Sequence, residues 1–247
     1  MTINRRDVLR FTGVVAASLL VGCGPTASSP PWWRKLWAGK SAASIPPCIV
    51  RPEQTEGPYF VDERLDRSDI RSDPSDGSVK EGVPLQLTFR VSEIRDTTCT
   101  PLPTAMVDVW HCDALGVYSD VEDFSGLFKT TGKKFLRGYQ RTDANGMARF
   151  STIYPGWYEG RAVHIHFKIR THPESRRGYE FTSQIYFNEA LSEQIFQQAP
   201  YSTKGPGWLR NQQDGIFRRN DGPRLIVALA KTDNNYTGTF DIGLQLT

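Results

Sequence analysis

The stretch Tyr154-Pro155-Gly156-Trp157-Tyr158-Glu159-Gly160-Arg161-Ala162-Val163-His164-Ile165-His166-Phe167 decides how this chain folds. Its second half alternates apolar residues with histidine, the period-two pattern of a strand. Residues two apart on a strand share a face. His164 and His166 therefore present two imidazoles side by side, while Val163, Ile165 and Phe167 point the other way. The chain has only four histidines, and half of them stand in this strand. Imidazole suits iron, zinc, copper and nickel. Two polar residues on the wet face of a half-exposed strand give the same pattern, so the pair needs further donors to become a site.

The residues before the strand supply them. Pro155-Gly156 marks a turn. Glu159 is the only carboxylate in the stretch and no cysteine is present, but tyrosine is available. A phenolate is a hard anionic oxygen. Free phenol has a pKa of about 10, so only a strongly acidic cation holds it ionised at neutral pH. Iron(III) fits that description better than zinc.

Working outward, P-G-x-Y followed by R-x-x-H-I-H-F resembles the metal-binding core of the intradiol ring-cleavage dioxygenases. These are non-haem iron(III) enzymes that open catechols between the two hydroxyls. T-E-G-P-Y-F at Thr55 to Phe60 and D-V-W-H-C-D-A-L-G-V-Y at Asp108 to Tyr118 match the same family. So do L-R-G-Y-Q-x-T-D at Leu136 to Asp143 and T-S-Q-I-Y-F at Thr182 to Phe187, in the family's order. The resemblance implies a β-sandwich with the metal between sheets and loops. It implies Fe(3+) held by Tyr118, Tyr158, His164 and His166, with Tyr158 and His166 axial. Tyr154 aligns where the family needs no ligand. Arg161 matches an arginine that stabilises negative charge on the substrate, and Gln184 a glutamine lining the same pocket. Tyr158, Arg161 and Gln184 are thus the expected catalytic residues. The substrates implied are a catechol and O2, and the product a cis,cis-muconate-type diacid. Catechol, hydroxyquinol, protocatechuate and lignin-derived catechols differ at the ring edge, which the motifs do not read. Oligomeric state is likewise open.

The N-terminus reads as an address. Asn4-Arg5-Arg6-Asp7-Val8-Leu9-Arg10 is a twin-arginine pattern. The apolar run Phe11 to Gly22 is too short to span a bilayer but suits a signal segment. Leu20-Val21-Gly22-Cys23 resembles a lipobox, so residues 1–22 are the expected signal peptide and Cys23 the expected lipidation site. A signal cleaved elsewhere, with Cys23 incidental, is the alternative. Residues 23–47 are rich in Pro, Ser and Ala and read as a tether. Trp32, Trp33 and Trp37 lie in it beside Arg34 and Lys35. Contact with the membrane interface is one reading; apolar spots without special function, or packing on the domain, is the preferred one. Without the signal's three arginines and Asp7, which sum to +2, the formal charge of +3 falls to about +1. Charge therefore argues for neither nucleic acid nor a membrane surface as partner.

The folded domain is expected over 48–247. Strand-like runs appear at 85–94, 105–111, 149–153, 162–170, 181–187, 224–231 and 239–246, and turn signals such as Asp143-Ala144-Asn145-Gly146 separate several of them. This spacing predicts an all-β sandwich of mainly antiparallel strands with long loops. One short helix is expected, over 189–199, before Pro200. Export permits a disulfide among Cys48, Cys99 and Cys112, and spacing does not choose the pair. His111 and His172 have no partner at ligand spacing and read as structural or exposed. Lys129, Lys133 and Lys134 read as a solvated loop.

Two other functional classes fit parts of the pattern. An H-x-H zinc hydrolase or cupin-like oxygenase needs a third histidine or a carboxylate, and the chain is short of histidines. A lipid-tethered, non-catalytic β-sandwich would use its tyrosines and tryptophans as a ligand platform. Metal content separates the three classes.

Overall fold

The structure, a computed structural model, describes residues 49–123, 126–175 and 178–246. The expected signal peptide, the Cys23 lipidation site, the tryptophan-bearing tether and Cys48 lie outside the described residues.

In chain order the elements are β1 (Pro84–Arg95), β2 (Thr98–Pro101), β3 (Met106–Trp110), β4 (Arg137–Arg141), β5 (Met147–Ile153), β6 (His164–Arg170), β7 (Glu180–Tyr186), α1 (Glu189–Phe196), α2 (Gly215–Arg219), β8 (Leu229–Thr232) and β9 (Asn235–Leu244). One sheet runs β4-β3-β6-β7 and is antiparallel throughout. The other runs β2-β1-β9-β8, with β5 also paired to β1. Among the described strand pairs of this sheet, only β1–β9 is parallel. The chain is the mainly antiparallel β-sandwich that the alternating runs predict.

Leu85, Leu87, Phe89 and Val91 alternate along β1 and are buried between the sheets. Ile165, Phe167 and Ile169 of β6 meet them from the other side. The Phe167 ring lies 5.1 Å from Phe89 and 5.4 Å from Phe240 of β9. Burying each such ring contributes about 1.5–3 kcal/mol. The opposite face of β6 is also buried, because every residue of the strand is. The cover there is the segment before β1. Asp66 bridges to Tyr139 of β4, and Gln54 N–H donates to the Thr182 carbonyl of β7. The histidine face of β6 is therefore turned away from the inter-sheet core, under loops.

Several local expectations need correction. The run 224–231 is not one strand. Gly222–Leu225 forms a 3-10 turn with Pro223 in its first turn, and β8 begins only at Leu229. β2, β4 and the five-residue α2 were not anticipated. The predicted helix is real but ends at Phe196, short of Ala199. Asn188 caps it, accepting from Ala190 N–H at 2.9 Å. Cys99 is disulfide-bonded and Cys112 is a buried free thiol. The unpaired thiol is thus Cys112, and the described residues contain no other cysteine to partner Cys99. Among the described residues no helix is long and apolar enough to cross a membrane.

Candidate metal centre

One register line crosses the four-stranded sheet. Arg137 of β4 pairs with Trp110 of β3, Trp110 with His166 of β6, and His166 with Gln184 of β7. Cross-strand partners share a face, so the sheet delivers an imidazole flanked by an indole and an amide. The Trp110 ring stacks on His166, 5.0 Å between centroids and nearly coplanar at 7°.

His164 and His166 bring their Nε2 atoms within 3.0 Å of each other. His164 Nδ1 lies 2.6 Å from the Ala162 carbonyl oxygen. A carbonyl only accepts, so Nδ1 carries the proton and Nε2 keeps its lone pair. Two nitrogens, each about 2.0–2.1 Å from one ion at a right angle, lie roughly 3.0 Å apart. The pair is spaced to serve as neighbouring ligands.

Two loops bring the tyrosines. Asp113 builds the first. Its Oδ1 accepts from the N–H groups of Leu115 and Val117, both at 3.0 Å, and the turn closes through Gly116 at φ 85°. Tyr118 follows, fully buried. The second loop holds Tyr158 and interlocks with the first. A Cβ on Gly116 would sit 2.2 Å from the Trp157 carbonyl oxygen, and one on Gly156 would sit 2.4 Å from that of Ala114. Only glycine permits this approach at either position. Tyr158 Oη lies 3.3 Å from His164 Nε2. The Tyr118 ring lies 5.6 Å from that of Tyr158 and 6.4 Å from that of His166. Tyr154 is elsewhere, in the hydrophobic core, with Oη 2.7 Å from Ser192 Oγ and its ring against Phe187.

The electrostatics suit a cationic ligand. Burial pushes both imidazoles well below their ordinary range, and the Arg161 charge adds to this, so both are neutral. Burial pushes the Tyr158 hydroxyl up to about 12, although Arg161 opposes the shift. Burial and the neighbouring Tyr158 raise Tyr118 further. Only a strongly acidic cation would ionise these phenols at neutral pH. Among the described residues, no group of three or more His, Cys, Asp or Glu could hold a metal. Five buried side-chain polar atoms lack a hydrogen-bond partner among the described residues. Four of them are here: Trp110 Nε1, Tyr118 Oη, Arg137 Nη1 and His166 Nδ1. Native interiors rarely leave such atoms unpaired, and of these four Tyr118 Oη is the one a bound cation would complete. Trp110 Nε1 and Arg137 Nη1 are donors, and His166 Nδ1 lies across the ring from the Nε2 that meets His164.

Arg161 is held for directed use. Nε donates to Asp214 Oδ2 at 3.0 Å, and Nη2 donates to Gln184 Oε1 and to Tyr186 Oη. Nη1 faces the cluster, 3.4 Å from both Tyr158 Oη and His164 Nε2. Gln184 is fully buried. Besides accepting from Arg161, it donates through Nε2 to the Thr55 carbonyl at 2.9 Å. It therefore positions Arg161 and the T-E-G-P-Y-F segment rather than facing open space. Sequence reasoning missed Asp214, which caps α2 with one oxygen and holds Arg161 with the other. It also missed Tyr186, and Arg137, whose Nε and Nη2 clamp the Ser119 carbonyl directly after Tyr118. Asp214 before a short apolar run was a readable cap signal. Nothing local marked the others. His111 is buried and bonded at both nitrogens, and His172 is exposed, as expected.

Comparison with known proteins bears on the same residues. A family model described as dioxygenase matches residues 55–205. Hydroxyquinol 1,2-dioxygenase of Corynebacterium glutamicum is 30% identical over 138 residues, 49% of this chain and 41% of that protein. Catechol 1,2-dioxygenase of Candida albicans is 29% identical over 65% of this chain and 50% of its own. The chain thus spans about half the length of the curated relatives it matches. Among solved structures, an intradiol ring-cleavage dioxygenase from Tetranychus urticae superposes with TM-score 0.68 at 29% identity, covering 81% of this chain and 96% of that one. The dioxygenase domain of a carbohydrate-binding fusion from Streptomyces sp. SirexAA-E gives 0.54 at 27%, covering 81% and 100%. A family match running from the T-E-G-P-Y-F segment through both tyrosine loops and the paired histidines, on the same sandwich, has one meaning: this chain belongs to the intradiol ring-cleavage dioxygenases.

Proposed function

We propose that this chain is a non-haem iron(III) dioxygenase that cleaves a catechol between its two hydroxyls. The observation that carries this reading is the convergence of two neutral imidazoles, 3.0 Å apart, with two buried phenols on one face of β6. Tyr118, Tyr158, His164 and His166 are the proposed ligands. These residues would hold a ferric ion, which would supply the Lewis acidity needed to ionise a catechol and make it reactive towards O2. The net reaction balances without a reductant. The ring C–C bond between the hydroxyl-bearing carbons breaks, both atoms of O2 enter the product, and a cis,cis-muconate-type diacid leaves.

The residues have distinct tasks. Tyr158 stands between the cavity and His164, so it meets the substrate first. As phenolate, its oxygen can accept a proton from an incoming catechol hydroxyl. Arg161 offers Nη1 to the charge that grows on the substrate, while Asp214, Gln184 and Tyr186 fix the rest of the guanidinium. A preorganised cation of this kind stabilises developing charge at no cost in reorganisation.

We also propose export by the twin-arginine route and lipid anchoring at Cys23. Asn4 to Arg10 and Leu20 to Cys23 support this, as does the disulfide at Cys99, which belongs in an oxidising compartment. Cys23→Ala should release the protein from the membrane fraction or block its maturation, and full retention of a processed mutant would end the proposal.

Metal analysis and oxygen uptake test the enzymatic reading. The purified protein should carry iron, be red-brown from phenolate-to-iron charge transfer, and consume O2 with catechol. A protein that carries zinc or no metal, and takes up no oxygen with any catechol, would overturn it.

A further inference from the structure

A cavity of about 640 Å³ opens beside Tyr158. Pockets of about 300–1,000 Å³ take drug-sized ligands, so a single catechol ring does not fill it. A catechol whose hydroxyls address Tyr158 turns its opposite ring edge into this space. What lines the remainder decides which substituents are accepted.

The lining is apolar and aromatic, with Leu115, Val117, Leu127, Phe128 and Trp157 among its walls. Among the described residues that line it, Lys204 is the sole cation, and its ammonium is already committed. Nζ donates to the Leu115 carbonyl at 2.6 Å and the Trp157 carbonyl at 2.5 Å, and sits 4.4 Å from the centre of the Trp157 indole. These contacts tie the loop before Tyr118 to the loop before Tyr158, so the lysine is a strut of the site. Two carboxylates, Asp123 and Glu159, also line the cavity. Asp123 accepts from Tyr59 Oη at 2.6 Å, and the Tyr59 ring stacks on Tyr118 at 4.6 Å. A substrate carboxylate entering here would find no uncommitted cation among these walls and would face two like charges.

Resting on the ring-cleaving reading above, we propose that the cavity selects catechols bearing an uncharged apolar or aromatic group on the ring edge away from the hydroxyls. Phe128 and Trp157 are the walls that grip this group, and catechol carboxylates are rejected. Charged groups on a substrate require matched partners in the site, and an unmatched one is expelled by desolvation as well as by repulsion.

The test compares catechol, 4-tert-butylcatechol and 3,4-dihydroxybenzoate on the full holoenzyme. Anaerobic titration, read by tryptophan fluorescence, gives Kd, and oxygen uptake gives kcat/KM. The tert-butyl compound should bind more tightly than catechol, and the carboxylate at least about tenfold more weakly. Glu159→Lys should raise the carboxylate-to-catechol ratio, and high salt should raise it in the wild type. Carboxylate binding equal to that of catechol overturns the selectivity. So does carboxylate binding that Lys204→Met abolishes while catechol binding is retained, since the lysine would then be a receptor. The expected binding order without oxygen uptake overturns the ring-cleaving reading and keeps the selectivity.

Discussion

One face of β6 carries His164, His166, Lys168 and Arg170, all buried under the same covering segment. Its two ends are finished differently. Arg170 donates to both oxygens of Asp62 and both of Asp108, at 2.9–3.1 Å. Lys168 pairs with Glu56 and lies 4.3 Å from the centre of the Phe60 ring. At the histidine end the nitrogens face each other, and the surrounding indole, phenol and guanidinium each leave an atom unpaired. Buried polar atoms cost free energy unless partnered. A chain that completes its bonds at one end of a strand and not at the other has assigned different work to the two ends: Arg170 fastens the covering segment, and the histidines keep donor capacity for a bound group.

The sharpest way to break this contrast is to empty the histidine end. His166→Ala should lose iron and colour and reduce catechol turnover to background, while the folded content by circular dichroism stays close to wild type. Full iron occupancy in that variant would mean the paired imidazoles are not the ligands. The matching change at the other end is Asp108→Ala, which leaves Arg170 with Asp62 alone. Breaking a buried pair costs about 3–5 kcal/mol, here towards the lower figure because Asp62 remains. Urea unfolding should report that loss, and iron per folded molecule should not change. Iron loss in step with the stability loss would show that the two ends are one unit.

Arg161 sits between the two kinds of behaviour, with three nitrogens that hold scaffold and face the cluster at once. Arg161→Leu should keep iron and colour and lower turnover on the order of 100- to 1,000-fold. The loss should fall on kcat if the contact forms in the transition state, and on KM if it only holds substrate. Near-normal turnover with normal iron would remove Arg161 from the mechanism.

The strand that organises the site was legible because its signal is local. Alternation in Val163 to Phe167 fixes which side chains share a face, and two histidines two residues apart can only meet. β4 was not legible: Arg-Gly-Tyr-Gln-Arg has a single aromatic residue, and its strand character comes from pairing with β3 and the bridge from Asp66. The run 224–231 misled for the converse reason. Leu225 and Val227 are buried as a strand's residues would be, and short apolar runs look alike whatever their backbone. The support of Arg161 was hidden by distance, since Asp214 lies 53 residues away and enters as the cap of a helix only five residues long. The orphaned atoms were invisible too, because a sequence does not say which hydrogen bonds are missing.

His111 sharpens the contrast in solution. It is as buried as the paired histidines, but both of its nitrogens are bonded, to the Cys112 carbonyl at 2.8 Å and Thr152 Oγ1 at 2.7 Å. Burial holds it at about 4, against 6.5 when free. Below pH 6.5 the unfolded chain takes up a proton that the native state refuses. Its stabilising contribution is therefore complete above pH 6.5 and is lost as pH falls towards 4, by ~3 kcal/mol in all. In His111→Gln the dependence of unfolding free energy on pH over this window should flatten by about one proton. An unchanged slope would mean that His111 titrates normally.

The smallest expected effect separates two tyrosines four residues apart. Tyr154 and Tyr158 flank the same turn, and both hydroxyls are raised by burial. Tyr154 Oη has a partner in Ser192 Oγ, which also donates to the Asn188 carbonyl at 3.2 Å and so would not be orphaned by its loss. Tyr154→Phe should cost about 1 kcal/mol, the net worth of one buried hydrogen bond, and leave the charge-transfer band in place. Tyr158 Oη lies instead against His164 Nε2 and Arg161 Nη1, at distances of 3.3 and 3.4 Å, long for hydrogen bonds. Tyr158→Phe should therefore change the band while altering stability little. The reverse ranking, a band that follows Tyr154 and ignores Tyr158, would show that the finished tyrosine is the ligand. A long, loose contact to the paired histidines would then no longer mark a working phenol.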